Sequence, residues 1–222
     1  MPDARLNMIY SLIPECRLLC DVGTDHCKLA VYAVEQGRAR AAVATDLRRG
    51  PLSAAAKTVE RHGLSDKITL LLSDGFLNIP EDLFSRTDCF VCAGMGGELI
   101  ETIIRGRHTE KTLVLQPQSA VYELCGFLCE NGYDIEKRVF CRDGDKIYTA
   151  LRCRFDGVRR EYDPFAGAVR DGVFRLYLER ERARIDRALC GISRGENADE
   201  ARKRELEALR DIIISEINHE NS

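Results

Sequence analysis

The sequence predicts an α/β fold: a mostly parallel seven-stranded sheet with helices on both faces, closed by an antiparallel hairpin and followed by a helical extension. Three observations predict it. Short apolar, β-rich runs alternate with helically spaced apolar patterns over some 140 residues, as in a parallel sheet covered on both sides. The last two such runs are separated only by Arg142-Asp143-Gly144-Asp145, a turn of hairpin composition with no room for a crossover helix. After residue 156 the composition shifts to Arg and Glu, with apolar residues at helical spacing.

Taken in order, an amphipathic helix is expected over residues 4–13. Five short apolar strands follow at 17–21, 41–46, 67–73, 88–93 and 112–116. Helices at 29–36, 52–62, 97–104 and 121–130 follow the first, second, fourth and fifth strands, and a weaker helical pattern at 76–84 fills the third gap. Strands 133–141 and 146–154 make the hairpin, and a lone antiparallel strand here departs from the six parallel strands of nicotinamide-binding sheets. Beyond it, Leu178, Ile185 and Leu189, then Leu206, Leu209, Ile213 and Ile217, mark two helices. Joined near residues 191–197, they would pack as an antiparallel pair with a solvated outer face, with fraying at the last few residues. Two domains are therefore expected, 1–156 and 157–222.

Composition limits the function classes. The 222 residues suffice for one α/β core plus an appendage, and 45% hydrophobic with 31% charged residues is a globular balance. No apolar run approaches the roughly 20 residues of a membrane span, and the first residues lack signal-peptide character, so a cytoplasmic protein is expected. Several of the ten cysteines lie inside apolar runs and read as reduced thiols. Cys89-x-x-Cys92 lies in a strand-like run, where residues three apart face opposite sides and cannot grip one ion; no metal is expected. A net charge of −3 argues mildly against a dedicated nucleic-acid binder. Arg48-Arg49 and the trio Arg105, Arg107, His108 can still form local basic surface, although a solvated face is the plainer reading of each.

The residues with chemistry cluster at predicted strand ends. Asp21-Val22-Gly23-Thr24-Asp25-His26 follows the first strand, where a glycine lets backbone approach a ligand. It is not G-x-G-x-x-G, and its flanking acids suit a cationic ligand better than a pyrophosphate. Asp46, followed by Leu47, ends the second strand, in reach of a nucleoside's ribose hydroxyls. Ser73-Asp74-Gly75 ends the third, where an acceptor can meet an exocyclic amine. Ala93-Gly94-Met95-Gly96-Gly97 closes the fourth, its glycines allowing backbone against a ligand or forming a tight turn. Each aspartate alone is also a common cap or turn residue; their joint position at one sheet edge points to a site.

These motifs, with Arg49-Gly50-Pro51, Leu115-Gln116-Pro117 and Lys146-Ile147-Tyr148, follow one another in an order that resembles the bacterial tRNA (adenine(22)-N1)-methyltransferase family, TrmK. The resemblance runs through nearly the whole chain, helical tail included. It implies a Rossmann-like class I methyltransferase sheet, S-adenosyl-L-methionine as donor, and methylation at N1 of an adenine in the D-arm region of tRNA. It assigns Asp21, Val22, Gly23, Thr24, Asp46, Leu47, Ser73, Asp74, Gly75, Ala93 and Gly94 to the cofactor. Asp25 becomes the catalytic aspartate, and His26, Lys28, Met95, Gly96, Gln116 and Pro117 the substrate side. Three departures stand out: Cys27-Lys28-Leu29-Ala30 where the family tends to have Ala-Tyr-Leu-Pro, Asp46 for Glu, and Gln118 for Asn. Lys28 loses a base-stacking ring and offers a phosphate contact instead.

Within methyltransferases, exocyclic amines are typically gripped by Asn/Asp-Pro-Pro-Tyr/Phe after the fourth strand; Ala-Gly-Met-Gly-Gly there favours a ring nitrogen. N1 takes part in base pairing, so the target must be unpaired or drawn out. His26 reads either as a neighbour of the catalytic group or as a hydrogen bond at the helix start. A monomer is expected. Two alternatives stay open on sequence alone: a methyltransferase of another substrate, and a noncatalytic RNA-binding protein that kept the fold.

Overall fold

The computed structural model describes residues 3–192 and 200–219. The chain opens with α1 (Ala4–Leu12), whose first turn is capped by Asp3: its Oδ1 accepts from the Leu6 amide at 2.7 Å. Met8, Ile9 and Leu12 bury the inner face of α1. Then come β1 (Cys16–Val22), α2 (Lys28–Glu35), β2 (Ala39–Asp46), α3 (Arg49–Arg61), β3 (Ile68–Leu72) and α4 (Glu81–Arg86). The second half runs β4 (Cys89–Met95), α5 (Gly97–Gly106), β5 (Thr112–Pro117), α6 (Val121–Glu130), β6 (Tyr133–Asp143) and β7 (Lys146–Phe155).

The seven strands lie in the order β3-β2-β1-β4-β5-β7-β6, with β1 to β5 parallel and β7 antiparallel to both of its neighbours. The expected sheet and hairpin are borne out. Apolar residues alternate between two core clusters: Leu19, Ala42, Cys89 and Val114 belong to one, and Cys20, Val43, Cys92 and Leu115 to the other. Cys89 and Cys92 thus lie in separate buried clusters, as their spacing in a strand requires.

Three elements differ from expectation in instructive ways. The third connection spends residues 73–80 on a turn, in which Ser73 Oγ donates to Gly75 O and accepts from the Asn78 amide. Its helix is therefore only Glu81–Arg86. α3 starts at Arg49, three positions before the expected 52, with Pro51 inside its first turn, where a missing amide proton costs nothing. β4 continues to Met95 through a register shift between Ala93 and Met95, with Gly94 at φ 77°.

The described chain divides into two compact units, Met1–Ala168 and Val169–Ser222, a later division than the expected 156/157. Residues 157–168 stay with the sheet because Arg138, wholly buried in β6, reaches them: its amide donates to Gly167 O at 2.7 Å and its Nη1 to Pro164 O at 2.6 Å. In the second unit, α7 (Gly172–Ile192) and α8 (Glu200–His219) pack through Leu178, Ile185, Leu189, Leu206, Ile213 and Ile217. Arg170 meets Glu216 and Arg210 lies near Asp186, which makes the pair antiparallel. Leu209, also expected at that seam, is half-buried. Residues 193–199, which contain most of the expected joint, lie outside the described residues, as do 220–222. Among the described residues no helix is long and apolar enough to cross a membrane.

Candidate functional site

The carboxyl edge of the sheet holds the candidate site, and the register shows how. Asp21 pairs with Ala44, and Asp46 with Leu72. Alternate residues share a face, so Asp21, Asp46 and the position of Asp74 step outward along the same face of three adjacent strands. Asp21 is buried and Asp46 half-buried, while Asp74, past the last paired residue of β3, is exposed.

Asp21 has an unusual environment. Its carboxylate accepts from Thr24 Oγ1 at 2.7 Å, and among the described residues no cation pairs with it. Burial pushes its pKa from 3.8 up to about 6, against the smaller opposing effect of the Thr24 hydrogen bond. The Thr24 amide donates to Thr45 O at 2.8 Å, stitching the loop to β2. Beside this stitch, Thr45 Oγ1 is buried with no hydrogen-bond partner among the described residues. Gly23 sits at φ 72°, and a Cβ there would come within 2.8 Å of Met95 Cε. The end of the Met95 side chain can move aside, so it is the left-handed backbone that calls for glycine where the loop after β1 meets the end of β4.

The next residues leave the loop under strain. His26 and Cys27 both take left-handed backbone, φ 60° and 58°. Cys27 is the residue before α2 and provides no side-chain cap. Of the two readings of His26, the hydrogen bonds among the described residues do not include one at the helix start; its Nε2 lies 3.4 Å from Asp25 Oδ1, with both side chains largely in solvent. Lys28, the first residue of α2, is also exposed.

At the second and third strand ends, Asp46 Oδ1 accepts from the Arg48 amide at 2.8 Å, and Leu47 stands 63% exposed beside it. Ser73 is buried and its hydroxyl is engaged within the turn. Gly75, at φ 53°, backs onto Ile103, whose Cγ1 would lie 2.7 Å from an added Cβ. After β4, a Cβ on Gly97 would come within 2.4 Å of Ala120 O, and the Gly97 amide donates to Ser119 O. The third glycine therefore joins the loops after β4 and β5. Gln116 is wholly buried, its Nε2 donating to Pro117 O and its Oε1 accepting from Gln118 Nε2. Gln118, the departure from the family pattern, also donates its amide to Met95 O at 2.9 Å. Gln116, Pro117 and Gln118 thus shape the loops from within.

Sequence reasoning missed Thr45, whose buried hydroxyl adjoins Asp46, and Arg5, which α1 delivers beside Gly94. Thr45 carries a weak signal, as a polar residue ending an apolar strand; Arg5 carries none. The trio Arg105, Arg107 and His108 is not free basic surface. Arg105 pairs with Glu101; Arg107 pairs with Glu81 and donates to Phe76 O and Ile79 O; His108 hydrogen-bonds Tyr133. Arg48 and Arg49 remain exposed at the site's edge. A cavity of about 700 Å³, lined by Arg17, Arg38, Arg40 and Asp88 among others, lies at the opposite edge of the sheet and holds none of the candidate residues.

A family model described as a methyltransferase domain matches residues 3–151. The chain belongs to that methyltransferase family. The tRNA (adenine(22)-N(1))-methyltransferase of Bacillus subtilis strain 168 is 30% identical over 151 residues, 66% of this chain and 62% of that protein. The aligned segment thus spans less than two thirds of that relative. The crystal structure of B. subtilis TrmK superposes over 98% of this chain and 99% of its own, at 24% identity and TM-score 0.81. Streptococcus pneumoniae Sp1610 in complex with S-adenosyl-L-methionine matches over 98% and 100%, at 25% identity and TM-score 0.82. The resemblance read from the motifs is borne out, and the fold match covers more of the chain than the sequence alignment does.

Proposed function

We propose that this methyltransferase transfers a methyl group from S-adenosyl-L-methionine to N1 of an adenine in tRNA, at position 22 by its likeness to the B. subtilis enzyme. One observation carries the reading of the site: Asp21 is a buried carboxylate at a strand end, and among the described residues no cation pairs with it. A group held in that state is completed by a cationic ligand, and the exposed Gly23 backbone fits a polar ligand pressed against the same edge. When bound, the donor supplies an electrophilic methyl on a sulfonium sulfur.

Asp21, with the loop Val22 to Thr24, would hold the donor's cationic end, Asp46 its ribose hydroxyls, and Asp74 with Gly75 its adenine amine. Leu47 would cover the nucleoside, with Ala93 and Gly94 bordering both ligands. Adenine N1 already has an in-plane lone pair, so the protein's task is alignment rather than base activation, and no metal is required. Methylation leaves the base cationic. Asp25, exposed beside the strained turn, would stabilise that charge or take a proton from the exocyclic amine, with His26 alongside. Lys28, Met95 and Gly96 would line the substrate side. The catalytic machinery lies in residues 1–156; the chain acts in the cytoplasm as a monomer.

The test incubates purified protein with labelled S-adenosyl-L-methionine and either bulk tRNA or a metabolite extract, followed by nucleoside mass spectrometry. Formation of 1-methyladenosine in tRNA is expected. Label in metabolites or protein alone would overturn the substrate, and failure to bind donor at millimolar concentration would overturn the enzyme reading.

A further inference from the structure

α1 contributes a cation to the candidate site that no motif marks. Gly94 is exposed and held at φ 77°, so its backbone lies bare at the carboxyl edge. A Cβ there would meet Arg5 Nη1 at 3.5 Å: the guanidinium overhangs this backbone. Arg5 Cζ also lies 5.8 Å from the centre of the Tyr148 ring on β7, within the range of cation–π attraction. Among the described residues no carboxylate lies within ion-pair distance of Arg5. The helix that carries it is capped by Asp3 and anchored through Met8, Ile9 and Leu12. A ring thus orients the cation without neutralising it, beside the loop expected to border the substrate.

We propose that Arg5, close to both the Tyr148 ring and the Gly94 backbone, binds a phosphate of the nucleotide that carries the target adenine. The inference rests on the methyltransferase reading above and deepens it by adding α1 to the tRNA-binding surface. An adenine drawn out of its helix carries its flanking phosphates with it. A planar guanidinium meets such a group with two parallel N–H donors, where a lysine would act only as a point charge. Locking one phosphate fixes the swing of the extruded base, so Arg5 acts on tRNA affinity and on the placement of N1.

The test compares wild type with Arg5→Gln, which keeps the stem over Tyr148 and loses the charge, Arg5→Lys, which keeps the charge, and Arg40→Gln, which removes one positive charge at the opposite sheet edge. Binding of unmodified tRNA is measured across a salt series, and donor affinity by calorimetry. Arg5→Gln is expected to weaken tRNA binding about tenfold and to reduce the slope of log K against log salt by about one. Arg5→Lys should keep the salt slope but lose part of the affinity. Donor affinity should hold in both Arg5 variants, and Arg40→Gln should leave tRNA binding at the wild-type value. Equal loss in Arg40→Gln, an unchanged salt slope in Arg5→Gln, or a parallel loss of donor binding would overturn the proposal. A wild-type protein that binds and methylates no tRNA would instead remove the reading beneath it.

Discussion

Two aspartates, one in β1 and one just before the neighbouring β4, receive opposite treatment at the two edges of the sheet. At the amino edge, Asp88 accepts from the amides of Arg17 and Leu18 at 2.8 and 3.1 Å and pairs with the Arg17 guanidinium. Desolvation alone would push its carboxyl up, but these donors outweigh it and hold it below its ordinary value. At the carboxyl edge, among the described residues the Asp21 side chain has only the Thr24 hydroxyl as a hydrogen-bond partner, and burial pushes it up to about 6. The difference separates a carboxylate that ties strands together from one that burial pushes toward its neutral form.

Asp25 tests that division most severely, because it shares the carboxyl edge with Asp21 yet is exposed. Asp25→Ala is expected to bind donor normally while losing methyl transfer by about 10²- to 10⁴-fold; near-normal turnover would remove Asp25 from the chemistry.

The next largest effect comes from Asp21 itself. Its folded pKa is raised, so the charged form is disfavoured, and stability present below pH 3.8 is lost as the pH rises through about 6. Asp21→Asn should therefore be more stable than wild type at pH 7, by on the order of 3 kcal/mol in donor-free protein. That gain should vanish near pH 3.8, as denaturant titrations at the two pH values would register. The same variant should bind donor poorly, and wild-type affinity should fall about tenfold per unit below pH 6. A variant less stable than wild type at pH 7 would mean the carboxylate is already satisfied.

The smallest effect belongs to the amino edge. Asp88→Asn should cost about 1–2 kcal/mol at pH 7. Because this pKa is lowered, the contribution is present above 3.8 and disappears as the pH falls through the folded value. Donor affinity should be unchanged, and an altered value would break the contrast between the two edges.

Much of this architecture was readable before any coordinates. Strand spacing placed Cys89 and Cys92 on opposite faces, and the four-residue turn at 142–145 announced the hairpin. The motif order identified the family. The third connection read less well, because a helical pattern over 76–84 does not reveal that Ser73 and Asn78 close a turn first. Gln116 offered a polar residue at a strand end, and only packing shows its amide turned inward. The Arg105 to His108 cluster likewise read as surface, although its partners Glu81 and Tyr133 lie far away in sequence.

By itself the sequence determined the periodicities, the turns and the strand-end aspartates, since each depends on residues a few positions apart. Tertiary structure alone decided which aspartate is satisfied and which is not, and brought Arg5 to Gly94. Desolvation and ion pairing depend on what surrounds a group in space, and those neighbours come from strands and helices distant along the chain.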